Sequence, residues 1–273
     1  MMILPLFATA LALFAAGYAG WRRASRRCAL LVAGAAIALP WGLFPAYYLH
    51  LPALDAPWYF QWRSQAWTDL LPAGVGLLSG CFAGWLRERA RVDQHAGGRP
   101  PWGWAAVARG LGVLAGLLVI AFAKPWLGTL PASKIHDEWR DGVCLQSTPS
   151  TCGPCAAATI LKTFGEPATE LQLAHEASST RTGTLNWLLA RALRSRGFDA
   201  TFTAPEQVQE VVAPAILGVK VGAAGHFVAL LERTGEQLVI ADPLEGRLSM
   251  TVAEFERRYP FARFALSIRR AAR

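Results

Sequence analysis

The sequence is short of charge. Asp, Glu, Lys and Arg make up 17% of its 273 residues, against 53% hydrophobic, where a soluble domain carries about a quarter charged residues. That shortage excludes a wholly soluble chain of ordinary composition. Acidic residues are scarcest early: positions 1–134 hold 4, against 12 Lys and Arg, which is the whole net charge of +8. Positions 135–273 are balanced, with 15 of each sign. A basic excess confined to short loops between apolar runs makes no face for a polyanion, so nucleic acid is excluded as a partner. Internal repeats, low-complexity tracts and heptad runs are also missing. So is a G-x-x-x-x-G-K-[ST] phosphate loop, and ATP-driven work by this chain is not expected. No basic segment precedes the first apolar run, which therefore reads as a span rather than a cleaved signal.

What the first half has instead is long apolar runs, at about 3–20, 29–49, 68–86 and 105–123. Each approaches the roughly 20 residues that cross a bilayer core. Trp41, Trp67, Trp85 and Trp104 lie near their ends, as an interfacial aromatic belt requires. Arg22, Arg23, Arg26 and Arg27 follow the first run, and Arg87, Arg89, Arg91 and Arg99 follow the third. The loop at 50–66 carries only Arg63 against Asp55. The positive-inside rule puts the two Arg-rich loops in the cytoplasm and both termini outside. The expectation is an α-helical membrane bundle of four spans over 1–123 and a linker over 124–140. An α+β domain with an antiparallel sheet follows over 141–273. The protein is then multi-pass in an inner or plasma membrane, with the lipid bilayer as partner and the last domain periplasmic or extracellular.

The chemistry concentrates in that last domain. In GVCLQSTPSTCGPCAAATILKTFG, the apolar residues Cys155, Ala158, Ile160, Leu161 and Phe164 have helical spacing. Pro154 suits the first turn and Gly165 the C-terminal cap. Cys152 then stands at the start of a helix, where unpaired N–H groups and the positive end of the dipole favour a thiolate. Taken alone, such a Cys is more often a small buried hydrophobe. Further on, GHFVALLERTGEQLVIADP reads as a hairpin. A three-residue loop, Arg233-Thr234-Gly235, sets Glu232 opposite Glu236 and hence His226 opposite Asp242. Directly opposed residues have Cβ atoms about 4.5–5.5 Å apart, so a carboxylate could orient the imidazole. Gln146, six residues before Cys152, offers a side-chain amide for an oxyanion. By itself it reads as a loop residue.

Taken together, Gln146, Cys152-Gly153-Pro154, a helix ending in Gly165, Gly225-His226-Phe227-Val228 and Asp242-Pro243 resemble the bacteriocin-processing cysteine peptidases, family thirty-nine of the papain-like clan. The likeness spans about 141–270. It implies a papain-like α+β fold with a helical lobe at 152–196 and a sheet over 213–269. It also implies Cys152 as nucleophile, His226 as general base, Asp242 as its orienting carboxylate and Gln146 as oxyanion donor. The substrate would be a peptide or protein, and no cofactor or metal is implied. Departures stand beside it. The family is best known as an N-terminal cytosolic domain of transporters that cut leaders after Gly-Gly, whereas here the domain is C-terminal and Thr151 precedes the Cys. Two further readings stay open: a non-enzymatic peptide-binding module, and an accessory to separate export-complex subunits.

The remaining cysteines do not change this. Cys28 and Cys81 sit in apolar runs as packing residues. Cys144 and Cys155 can form a disulfide outside the cytoplasm. Cys152-Gly-Pro-Cys155 has the spacing of a redox motif but lacks the preceding strand, and the Cys and His spacings do not make a zinc site.

Overall fold

The computed structural model describes residues 3–21, 23, 27–36, 54–95, 105–116, 128 and 130–271. They form two units, one from Met1–Asp55 with Ala66–Lys124 and one from Ala56–Gln65 with Pro125–Arg273.

The first unit contains α1 (Ile3–Trp21), α2 (Arg27–Ala36), a 3-10 turn (Ala66–Ala73) leading into α4 (Gly74–His95), and α5 (Ala105–Gly116). Gly76 and Gly80 lie four residues apart on α4. A Cβ at either would run into the backbone of α1 at Ala10 or Phe14, which is why only glycine permits the close approach.

The expected bundle of four spans is not supported. Among the described residues one helix, Ala66–Arg89, is long and apolar enough to cross a membrane, with 24 residues and a mean hydropathy of 1.3. Leu6–Trp21, Arg27–Ala36 and Ala105–Gly116 are apolar but shorter. Hydropathy reports composition, whereas crossing depends on helix length. At 1.5 Å per residue, about ten residues cover only half of a ~30 Å core. The later parts of the runs at 29–49 and 105–123 lie outside the described residues.

In the second unit, the alternation Phe198, Ala200, Phe202 (inward) with Asp199, Thr201, Thr203 (outward) forms β3 (Phe198–Thr203). This strand precedes the sheet start expected at 213. It is the edge of a six-stranded antiparallel sheet. From it the order runs β8 (Phe261–Arg270), β4 (Ala215–Val221), β5 (Ala224–Thr234), β6 (Gln237–Asp242) and β7 (Gly246–Thr251). A separate pair, β1 (Glu138–Arg140) and β2 (Val143–Leu145), precedes the helices. Leu217, Val219, Val228, Leu230, Leu238 and Ile240 make one packed face with Phe255 and Tyr259, at and just after α9 (Val252–Arg258).

Helix α6 (Cys152–Thr163) packs on β5 and is buried from Cys152 to Leu161. Its run of three alanines, Ala156–Ala158, adds little bulk. It stops where Gly165 takes a positive φ of 75° and Glu166 N–H donates to Leu161 O at 3.0 Å. Helices α7 (Glu170–Glu176) and α8 (Asn186–Ser195) complete the lobe. The unit also takes in α3 (Pro57–Arg63), from the segment read as a loop between spans. Tyr59 and Phe60 on it are 1% and 2% exposed, and burying each aromatic contributes about 1.5–3 kcal/mol.

Candidate active site

Cys152 is the first residue of α6, just behind a turn that is tied down at several points. Thr151 N–H and Oγ1–H both donate to Thr148 O, at 3.1 and 2.9 Å. Ser150 Oγ–H donates to Arg181 O at 2.7 Å, and Thr184 Oγ1–H to Ser150 O at 3.1 Å. These bonds hold the chain as it enters the helix. The backbone N–H groups of Cys152 and Gly153, at the start of α6, have no acceptor within the helix and are available as donors. Gly153 follows, with Leu189 and Phe227 within 3.2 and 3.4 Å of where a Cβ would lie. A side chain there would press on the wall of the site.

His226 sits on β5 and Asp242 at the end of β6, 6% and 1% exposed. His226 Nε2 lies 2.8 Å from Asp242 Oδ1. The same oxygen accepts from Leu244 N–H at 2.8 Å, and Oδ2 accepts from Tyr259 Oη–H at 2.6 Å. With Nε2 committed to Asp242, Nδ1 is the nitrogen left for Cys152. Burial pulls the His226 pKa down, but the bonds to Asp242 and Cys152 outweigh it and raise it to about 9. Burial likewise pushes Asp242 up, yet His226, Tyr259 and the Leu244 N–H bring it below the usual carboxylate range. Tyr259 is raised by burial and by the adjacent carboxylate, so it stays a donor. The result is an anion–cation pair screened from water.

The hairpin that brings these residues together differs from the expected one. Its loop has two residues, Gly235 and Glu236, with Thr234 opposite Gln237 and Glu232 opposite Val239. The register then shifts between Leu230 and Glu232, so that Ala229 faces Ala241. A bulge leaves Leu231 unpaired in the ladder. His226 is therefore diagonal to Asp242 rather than opposite it. A diagonal pair has its Cα atoms about 7–8 Å apart, within reach of a long side chain, and the imidazole spans that gap. The loop estimate missed because Gly235 at φ 58° serves a two-residue turn as well as a three-residue one.

Gln146 is placed between the two halves of the site. Its N–H donates to Pro243 O at 2.9 Å, next to Asp242, and its side chain reaches the turn before Cys152, where Nε2 donates to Thr148 O at 3.0 Å. Its Oε1 is buried without a partner. One amide proton is thus engaged in the turn and the second is left to serve another acceptor. The next residue, Ser147, is pinned to Glu170 through its N–H and its hydroxyl at 2.8 and 2.5 Å.

Tyr259 was not anticipated. It lies seventeen residues beyond Asp242, and only the return of α9 onto the sheet brings them together. The available signal was that a buried carboxylate needs more donors than one imidazole supplies. Cys144 and Cys155 are both fully buried free thiols. Burial, and then Cys144, push the Cys155 thiol up, so it stays protonated beside the site. The structure holds no bridge between them.

A cysteine at a helix start facing a carboxylate-bound histidine on an antiparallel sheet is the arrangement of a cysteine-type peptidase. The chain belongs to the peptidase C39 family, whose sequence model matches residues 140–272. A relative in Methanothermobacter thermautotrophicus, described as an uncharacterized protein, is 30% identical over 115 residues, covering 42% of this chain and 80% of the relative. The probable functional amyloid protease FapD of Pseudomonas aeruginosa is 32% identical over 120 residues, covering 40% of this chain and 53% of FapD. The lactococcin-G-processing and transport ATP-binding protein LagD of Lactococcus lactis subsp. lactis is 26% identical over 122 residues, covering 43% of this chain but 17% of LagD. The domain at 140–272 is accordingly a cysteine peptidase domain with a peptide as its class of substrate.

Proposed function

We propose that the chain hydrolyses a peptide bond through a thioester on Cys152. The observation that carries this reading is the 2.8 Å contact of His226 Nε2 with a buried Asp242, which leaves Nδ1 to serve the sulfur. The thiolate attacks the peptide carbonyl carbon, and the C=O π pair moves onto oxygen. The Cys152 N–H and Gln146 Nε2 hold that oxyanion. The imidazolium of His226 gives its Nδ1 proton to the departing amine as the C–N bond breaks. The neutral ring then takes a proton from water, which attacks the thioester, and the sulfur leaves as thiolate with the ring again protonated. Asp242 stays ionised throughout and keeps the ring in place.

Two tests follow. Iodoacetamide should alkylate Cys152 faster than it does free cysteine, and cleavage should be lost in step; a rate no faster than free cysteine would favour a peptide-binding module. Peptide cleavage should fall as pH rises through about 9, because the His226 proton is given up there. The same group should affect stability. Its folded pKa lies above the unfolded value of about 6.5, so its contribution is complete below that value and is lost as pH rises through about 9. A flat rate between pH 7 and 10 would count against His226 as the acid. Gln146→Ala should lower kcat by about 10²–10³, the usual effect of losing one oxyanion donor, with KM little changed. An unaltered kcat would remove Gln146 from the oxyanion site.

The names of LagD and FapD, one a processing protein and one a protease, support a secreted or exported polypeptide as the substrate. Attachment to a bilayer through the Ala66–Arg89 helix is part of the same reading, supported by its length and hydropathy. Retention of the full chain in carbonate-washed membranes tests it, and release into the supernatant would refute it.

A further inference from the structure

The family match begins at residue 140, yet a piece from far upstream is built into the same unit. Phe60 on α3 packs against Trp187, Phe202 and Phe264, with ring centroids 6.4, 5.5 and 5.8 Å away. Tyr59 meets Trp187 edge-on at 5.9 Å, and the Arg63 guanidinium lies 5.2 Å over the same indole. The end of α3 is then clasped from α8. Arg191 donates to the carbonyls of Arg63, Ser64 and Gln65 at 2.7, 3.1 and 3.0 Å, and Arg194 donates to Ser64 Oγ. Cations at a helix C-terminus satisfy its free carbonyls and its dipole together. On the other side, Phe202 N–H, on the edge strand β3, donates to Gln61 Oε1 at 3.4 Å.

These contacts converge on α8, and α8 leads to the nucleophile. The chain entering α8 carries Thr184, which donates to Ser150 O, two residues before Cys152. Thr184 Oγ1 also bonds Ser179 Oγ at 2.6 Å. Leu189 of α8 reaches Gly153. Phe264, against which Phe60 packs, also touches Phe227 at 5.5 Å, next to His226. Two short routes thus run from α3 to the residues flanking Cys152 and His226.

We infer that the peptidase is discontinuous in sequence: residues 56–65 are a fixed part of it, and they position α8 and the turn that carries Cys152. Their rings pack into an aromatic cluster and their own carbonyls accept from Arg191, groups that a transient lid would leave to water. Phe60 and Arg191 are positioning residues, since neither touches the reacting atoms. The inference rests on the reading of Cys152 as nucleophile only for its activity readout.

The test uses the full chain with Phe60→Ala and, separately, Arg191→Gln, which removes the clasp without opening a cavity. Amide hydrogen exchange over 179–196 should quicken by at least about tenfold in both, while β5 and β6 keep their protection. Cleavage should fall with kcat reduced and KM held, and Phe60→Leu should recover most of it. Unchanged exchange over 179–196 in both variants would overturn the inference. So would a rise in activity, which would make the segment an inhibitor instead. If Cys152→Ala cleaved normally, the proposed chemistry would fail while the exchange result still decided the role of 56–65.

Discussion

Cys152→Ala should abolish peptide cleavage, by a factor on the order of 10⁴ or more, and leave the protein folded. The sulfur is the atom that forms the covalent intermediate, and losing a nucleophile of this kind leaves only the residual rate from binding and oxyanion contacts. The fold should tolerate the change because Cys152 is the first residue of α6, 8% exposed, and the substitution removes a single heavy atom. Cys152 is one of the groups that raise the His226 pKa, so without the sulfur that pKa should come down from about 9. Cleavage of a peptide substrate and the thermal midpoint, measured on the same preparation, check both halves. Full activity in this variant would end the mechanism; loss of activity together with the fold would call for Cys152→Ser in its place.

Asp242→Ala should have the next largest effect, and on two quantities at once. The carboxylate accepts from His226, Leu244 N–H and Tyr259 Oη–H while 1% exposed. Removing it strands three donors in a buried setting, and each unsatisfied group costs about 1–3 kcal/mol. A loss of about 3 kcal/mol or more is therefore expected in denaturant unfolding, with cleavage reduced by about 10²–10⁴ as the ring loses its orientation and counter-charge. Asp242→Asn separates the two roles. It keeps a carbonyl oxygen for His226 and Leu244 but removes the charge. The upper limit of activity should then move from about 9 toward lower pH, with stability less affected. If Asp242→Ala unfolded like the parent and cleaved as fast, the buried carboxylate would have neither role.

The sequence made the site more legible than the architecture around it. The helix at Cys152 was visible because apolar spacing, Pro154 and Gly165 all act within one segment. His226 and Asp242 were visible because a hairpin is also local, although the ladder shift at Leu231 was not. A bulge depends on how twist is absorbed across the whole sheet, and no single residue announces it. Tyr259 and the helix at 57–63 were hidden for a stronger reason. Each acts on residues far away in the chain, Tyr259 through the return of α9 and Phe60 through rings more than a hundred positions on. Strand β3 is a different case. Its alternation at Phe198, Ala200 and Phe202 is readable, but it follows directly on a helical segment. The bundle of four spans is not supported: among the described residues one helix, Ala66–Arg89, is long and apolar enough to cross a membrane.

The unpaired Leu231 also bears on how such sites are searched for. The sixteen-position step from His226 to Asp242 combines a two-residue tip, a bulge and a diagonal contact. A longer tip with a flush ladder could present the same imidazole to the same carboxylate across a different count. Chain distance between these two residues is thus an elastic ruler. A pattern that demands one fixed gap would overlook relatives whose strands solve the same meeting by other means, while a rule written on the face and end of the strands would find them.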